Sequence, residues 1–217
     1  MTHTMTDSPH ANTPVLRVGR PLAEARAALI LVHGRGATAE SILSLADYLP
    51  HPDMAYLAPQ AAGNTWYPTT FLAPMAQNEP WLSSALRRLE EVVAEVTAAG
   101  IPAERIVLAG FSQGACLASE FVARHAQRYG GLLAFSGGLI GPPGTPRDYR
   151  GALAGTPVFI GCSDVDPHIP LARVEETAEV LAGLGAVVDK RIYPRLGHTI
   201  NDDEIAAAAA LVAGVGA

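Results

Sequence analysis

The stretch AGFSQGA, residues 109–115, decides how the rest of the chain is read. Its serine, Ser112, stands between Gly110 and Gly114 and follows the apolar run Ile106, Val107 and Leu108. A short apolar run of this kind suits a strand buried on both faces, and residues 112–125 suit a helix. A chain that passes from strand to helix through Gly–Phe–Ser–Gln–Gly must turn sharply, and its central residue takes a strained backbone conformation. Glycines on either side remove the Cβ atoms that would block the turn. The turn lifts the Ser112 hydroxyl above the sheet. It also points the Gln113 amide into the same space, at a helix N-terminus where partial positive charge collects. We read it as a device that exposes a nucleophile.

An unaided serine hydroxyl is a poor nucleophile at neutral pH; it needs a base within hydrogen-bond reach and a third group to orient that base. Of the seven histidines, His3 and His10 fall near the N-terminus, and His51 and His125 follow predicted helices, where a structural or surface role is expected. His198 lies in RLGHTIND (195–202), between a predicted strand and the last helix, and can reach over the sheet edge. The acid is expected between serine and histidine in chain order. GCSDVDPHIP (161–170) supplies Asp164 and Asp166 there, and either can receive the His198 Nδ1–H; the other is expected to cap its turn. His168 reads as a residue of the pocket rim. Acyl transfer also builds a negative oxygen that two backbone amides must meet, each worth about 2.7–4 kcal/mol. Gln113 provides one, and Arg35 in HGRGA (33–37), after the apolar run AALILV (27–32), provides the other.

Strand and helix patterns alternate throughout. Strands are predicted at 27–32, 54–58, 106–109, 132–135, 158–160 and 187–193, and helices at 38–48, 80–99, 112–125, 171–181 and 202–213. Alternation implies an α/β fold with a mostly parallel central sheet flanked by helices. Working residues of such sheets lie at the carboxyl ends of strands, where all the candidates fall. Residues 1–14, polar and lacking an apolar signal-peptide core, are expected to form a disordered tail, and 15–217 a single domain. The Gly/Pro-rich loop 136–156 is expected to be the weakest-packed segment.

Hydrophobic residues make up 49% of the chain, enough for a sizeable core, and the net charge of −6 without a basic cluster argues against nucleic acid as a partner. The longest late apolar run, 205–217, is too short to span a bilayer. Cys116 and Cys162 are too few for a disulfide framework and lack metal-site spacing; buried reduced thiols point to the cytoplasm. No metal and no organic cofactor are implied.

With HGRGA, TWYP (65–68), GFSQGA (110–115), GCSDVDPHIP and Gly197–His198 in hand, the chain resembles the α/β-hydrolase superfamily. More narrowly it resembles the phospholipase/carboxylesterase family, which includes acyl-protein thioesterases. The resemblance implies Asp166 as the acid, because an aliphatic–proline pair, Ile169–Pro170, follows it at the family's spacing. The sequence departs from acyl-protein thioesterases at Arg35, where leucine is usual, at Ala115, where a third glycine is usual, and at Ile160, where histidine is usual. Ser112 separates it from dienelactone hydrolases, which carry cysteine there.

Larger relatives insert a lid after the strand corresponding to 132–135. Here that loop is roughly twenty residues, so no large lid domain and an open cleft for small-molecule esters of short or medium acyl chains are expected. Trp66, Tyr67, Phe71, Leu72, Met75 and Ile169 are the candidates for the acyl wall. Arg35 is expected at the mouth, where it would favour an anionic group. Apolar residues in 69–75 suggest a homodimer face. Activity on thioesters or lysophospholipids uses the same residues, and a non-catalytic binding protein on the same fold is the competing reading from another class.

Overall fold

The computed structural model describes residues 8–216. Its sheet has seven strands in the order β1-β3-β2-β4-β5-β6-β7. They are β1 (Val15–Gly19), β2 (Ala27–Val32), β3 (Met54–Pro59), β4 (Ile106–Phe111), β5 (Gly131–Phe135), β6 (Pro157–Ser163) and β7 (Val187–Tyr193). The helices are α1 (Ala39–Leu43), α2 (Trp81–Ala98), α3 (Gln113–Arg124), α4 (Leu171–Gly183) and α5 (Asp202–Ala213). All pairings are parallel except that of the edge strand β1, which runs antiparallel to β3. This is the mostly parallel, helix-flanked sheet that the alternation implies.

Strand periodicity sorts the core into two layers. Ala28, Ile30 and Val32 of β2 face one side with Leu57, Leu108 and Leu132, and pack under Leu89 of α2, Phe121 of α3 and Val174 of α4. Leu29 and Leu31 face the other side with Tyr56, Val107 and Leu133, under Ile42 of α1 and Ala208 and Val212 of α5. The helix expected over 38–48 is shorter. Thr38 caps it, its hydroxyl accepting from Ser41 N–H, but after Leu43 the chain tightens into a single 3₁₀ turn.

The link from β4 to α3 is the tightest point of the fold. Ser112 sits at φ 57°, ψ −120°, and α3 starts at the next residue. The helix can begin there only because its first turn lies directly on the sheet. A Cβ on Gly114 would stand 2.0 Å from the Val32 carbonyl oxygen, and one on Gly110 would stand 2.4 Å from the Gly114 carbonyl carbon.

Two expectations fail. Residues 8–14 are not a free tail: His10 is buried, its backbone N–H donates to Ser84 Oγ, and its ring bonds the backbone at Ala62 and Trp66. Residues 1–7 lie outside the described residues. Nor is 136–156 weakly packed along its length, since 136–141 are buried. Buried side chains of α3 and α4 satisfy that backbone: Glu120 accepts from Ile140 N–H, Thr177 from Leu139 N–H, and Arg173 donates to the carbonyls of Leu139 and Gly141. Composition signalled a weakly packed loop because these partners come from distant positions.

Gly114→Ala pushes a methyl into backbone atoms that cannot yield without moving α3 off the sheet. The variant is expected to lose about 3 kcal/mol of stability, read as a lower urea midpoint at unchanged slope. A wild-type midpoint would contradict the packing described.

Candidate active site

Four strand ends deliver the site. β4 ends in Ser112, whose N–H donates to Phe135 O and so fixes the turn against β5. The loop after β6 carries Asp166, the loop after β7 carries His198, and the loop after β2 carries Arg35. The three side chains named from the sequence meet. His198 Nε2 lies 2.8 Å from Ser112 Oγ, and His198 Nδ1 lies 2.7 Å from Asp166 Oδ2. The carboxylate can only accept, so Nδ1 carries the ring proton and Nε2 presents a lone pair to the serine hydroxyl.

The Asp166 side chain is buried, although its backbone is partly exposed. Burial pushes its pKa up, but the His198 ring and the N–H groups of His168 and Ile169 all donate to the carboxylate and outweigh it. The group is held below the ordinary aspartate value and stays ionised at neutral pH.

Asp164 does not cap its own turn as expected. Its Oδ1 accepts from Arg195 N–H at 2.7 Å, across to the loop that carries His198. Ser163 Oγ takes the capping role, accepting from Val165 N–H and also from Gly197 N–H. The acid loop thus holds the histidine loop at two points beside His198.

Arg35 and Gln113 both line the cleft above Ser112. The two amides after Arg35 are used, Gly36 N–H by Asn64 O and Ala37 N–H by Gly34 O. Among the described residues no acceptor pairs with the Arg35 or Gln113 N–H. Their side chains hold one strap, residues 65–69. Gln113 accepts from Trp66 N–H and donates to Tyr67 O, each at 2.9 Å, and Arg35 donates to Pro68 O and Thr69 O.

The cleft encloses about 540 Å³. Tyr67, Phe71 and Ile169 line it as expected, and His168 stands on its wall, its ring 4.8 Å from that of His198. Trp66, Leu72 and Met75 do not line it. Trp66 is fully buried beneath, donating from Nε1 to His33 O and lying between the rings of His10 and His33. Leu72 and Met75 are partly buried against the main core and Phe71 is buried, so none of these three large apolar side chains stands exposed. Sequence reasoning missed Phe111 and Cys116 as wall residues. Cys116 was legible in principle, one helical turn beyond Ser112. Its thiol is buried and pushed up to about 12, so it serves as apolar lining and not as a second nucleophile. A larger hollow of about 670 Å³ lies at the opposite end of the sheet, between the starts of β6 and β7 and the end of α5, and contains none of these groups.

No group of histidine, cysteine and carboxylate side chains placed to hold a metal occurs among the described residues, and no helix there is long and apolar enough to cross a membrane.

A serine on a strand–helix turn, with its histidine and aspartate at the carboxyl ends of parallel strands, marks the fold and site of an α/β hydrolase. The chain belongs to the phospholipase/carboxylesterase family, whose model matches residues 14–214. It is similar to a phospholipase/carboxylesterase from Dyadobacter fermentans, with a TM-score of 0.90 and 46% identity, covering 93% of this chain and 96% of that one. It is 27% identical over 214 residues to acyl-protein thioesterase 1 of Saccharomyces cerevisiae, covering 88% of this chain and 93% of the relative. A probable carboxylesterase of Oryza sativa is 26% identical over 195 residues, 82% of this chain and 83% of that protein.

Burial lowers the pKa of both His10 and His33, so the folded state resists protonating them while the unfolded chain does so near the ordinary histidine value of about 6.5. Their stabilising contribution is present above that value and is lost as pH falls below it. Glu204, pushed up to about 7 by burial, works in the opposite sense, because the folded state takes its proton more readily. The His10 part is therefore read by difference. The stability gap between wild type and His10→Gln in urea is expected to narrow from about pH 7.5 to about pH 5, and a pH-independent gap would contradict it.

Proposed function

We propose that this chain is a serine carboxylesterase acting on small esters of short or medium acyl chains through an acyl-serine intermediate. The observation that carries the reading is the unbroken hydrogen-bonded line from Ser112 through His198 to Asp166.

His198 Nε2 takes the hydroxyl proton as Ser112 Oγ attacks the ester carbonyl. Asp166 holds the ring in the tautomer that makes this possible and stabilises the imidazolium that forms. The amides of Arg35 and Gln113 receive the oxyanion, the latter at the N-terminus of α3. His198 then gives its proton to the leaving alcohol. In the second half water loses a proton to His198, attacks the acyl-serine and releases the acid. Activity requires the neutral ring, whose Nε2 lone pair accepts the proton.

The open cleft supports substrates that enter without moving a lid. The similarity to acyl-protein thioesterase 1 of yeast favours a second reading, hydrolysis of acyl thioesters, by the same steps with a thiol as leaving group. Two buried free cysteines support a cytoplasmic location.

A fluorophosphonate probe is expected to label wild type at Ser112 and to leave Ser112→Ala unlabelled; absence of labelling of the folded wild type would favour the non-catalytic binding reading. Asp166→Asn is expected to keep the fold and lower kcat by about ten-thousand-fold, because the amide stabilises the wrong tautomer, whereas Asp164→Asn costs far less. Equal losses in the two variants would remove Asp166 from the role. Paired oxygen and sulfur esters of one acyl chain separate the two substrate readings.

A further inference from the structure

Among the described residues the cleft wall carries a permanent positive charge and no carboxylate. Arg35 lines it together with Ser112, and of the described residues only Arg35, the two histidines, Tyr67 and Cys116 bring ionisable side chains to it, the last two with raised pKa values. This stands out in a chain with a net charge of −6. The carboxylate beneath the floor, that of Asp166, is a buried side chain committed to His198 and two backbone amides. Among the described residues Arg35 takes part in no ion pair.

The guanidinium is also held in place. It donates to Pro68 O and Thr69 O and lies 5.9 Å from the centre of the Tyr67 ring. Those two bonds use two of its five N–H groups and leave three, and neutral carbonyls do not cancel its charge. A planar cation fixed on the wall is arranged to receive a carboxylate or phosphate through paired hydrogen bonds, with little ordering left to do on binding. The same residue's backbone amide is assigned to the oxyanion, so the guanidinium stands within one arginine side chain's reach of the scissile carbonyl.

We propose that the cleft selects esters that carry an anionic group near the reacting carbonyl, with the Arg35 side chain as its receptor. The proposal rests on the esterase reading and names its substrate class. It separates two roles of Arg35: the backbone amide acts on every substrate, the guanidinium only on charged ones.

The test compares matched pairs of equal length on the full chain. One pair places the charge on the acyl side, para-nitrophenyl hydrogen glutarate against para-nitrophenyl pentanoate. The other places it on the alcohol side, a butanoyl ester of hydroxy-nitrobenzoate against the same compound as its methyl ester. In at least one pair wild type is expected to favour the anion in kcat/KM, and Arg35→Leu to reduce that preference by roughly tenfold, mostly through KM. Arg35→Lys is expected to retain most of it. In wild type the preference should fall as salt rises, which needs no variant to fold. Arg35 as a loop tether alone would lower both members of each pair alike, so unchanged ratios in Arg35→Leu, or salt-independent ratios in wild type, would overturn the proposal. Failure of the esterase reading is distinct: wild type would then turn over neither member of either pair.

Discussion

The structure depends on one close approach, the first turn of α3 lying on the Val32 carbonyl with no side chain between them. Because Gly114 is bare, the helix can start one residue after Ser112 and not several. Because it starts there, Ser112 is held at positive φ with its hydroxyl above the sheet and its neighbour's amide at the helix N-terminus. A non-glycine residue at φ 57° with ψ −120° is costly, and such strain persists only when the surroundings over-determine it. Here β4, the first turn of α3, β2 and the bond from Ser112 N–H to Phe135 O do so together.

The parallel sheet supplies the remaining parts at matching height. Strand β6 ends beside β5 and feeds the acid loop, and β7 ends beside β6 and feeds the histidine loop. Neighbouring parallel strands finish at the same edge, so the two loops emerge side by side and Ser163 and Asp164 can tie one to the other. Behind them Glu204 closes the start of α5 with Asn201 in a reciprocal cap, and Gly161 leaves the space its carboxyl occupies. On the other side of the serine, the strap 65–69 hangs from the two residues assigned to the oxyanion, Arg35 and Gln113. Their spacing is thereby fixed by side-chain bonds as well as by the backbone.

The alternation of apolar runs was legible because buried parallel strands need apolar residues on both faces, and β7 and α5 were bounded as they stand. Ser112, Gln113 and His198 were legible because their chemistry demands a particular place on the fold. Asp166 was not separable from Asp164 by composition, since both stand in one loop. Only the position of Ile169–Pro170, read by resemblance, favoured it, and the structure gives the physical difference, which is a buried side chain and two backbone donors. The cleft wall was the least legible part. Trp66, Tyr67, Phe71, Leu72 and Met75 all look alike as large apolar residues in a loop, and which of them faces the cleft depends on partners far away, such as His33 under Trp66. Strand β1 was missed because an edge strand half exposed to solvent has no long apolar run. The segment around His10 was misjudged for a similar reason: one buried imidazole between Trp66 and Trp81 holds it, and no periodicity announces that.

The central claim is that Ser112 and His198 act as one unit, the histidine having no effect except through the serine. A double-mutant cycle on kcat/KM for one ester measures this directly. Ser112→Ala, His198→Ala and the double variant are expected to show the same loss within a few-fold. If the two single losses multiplied in the double variant, the residues would be acting independently, and the line of hydrogen bonds across the sheet edge would not be the engine of the reaction.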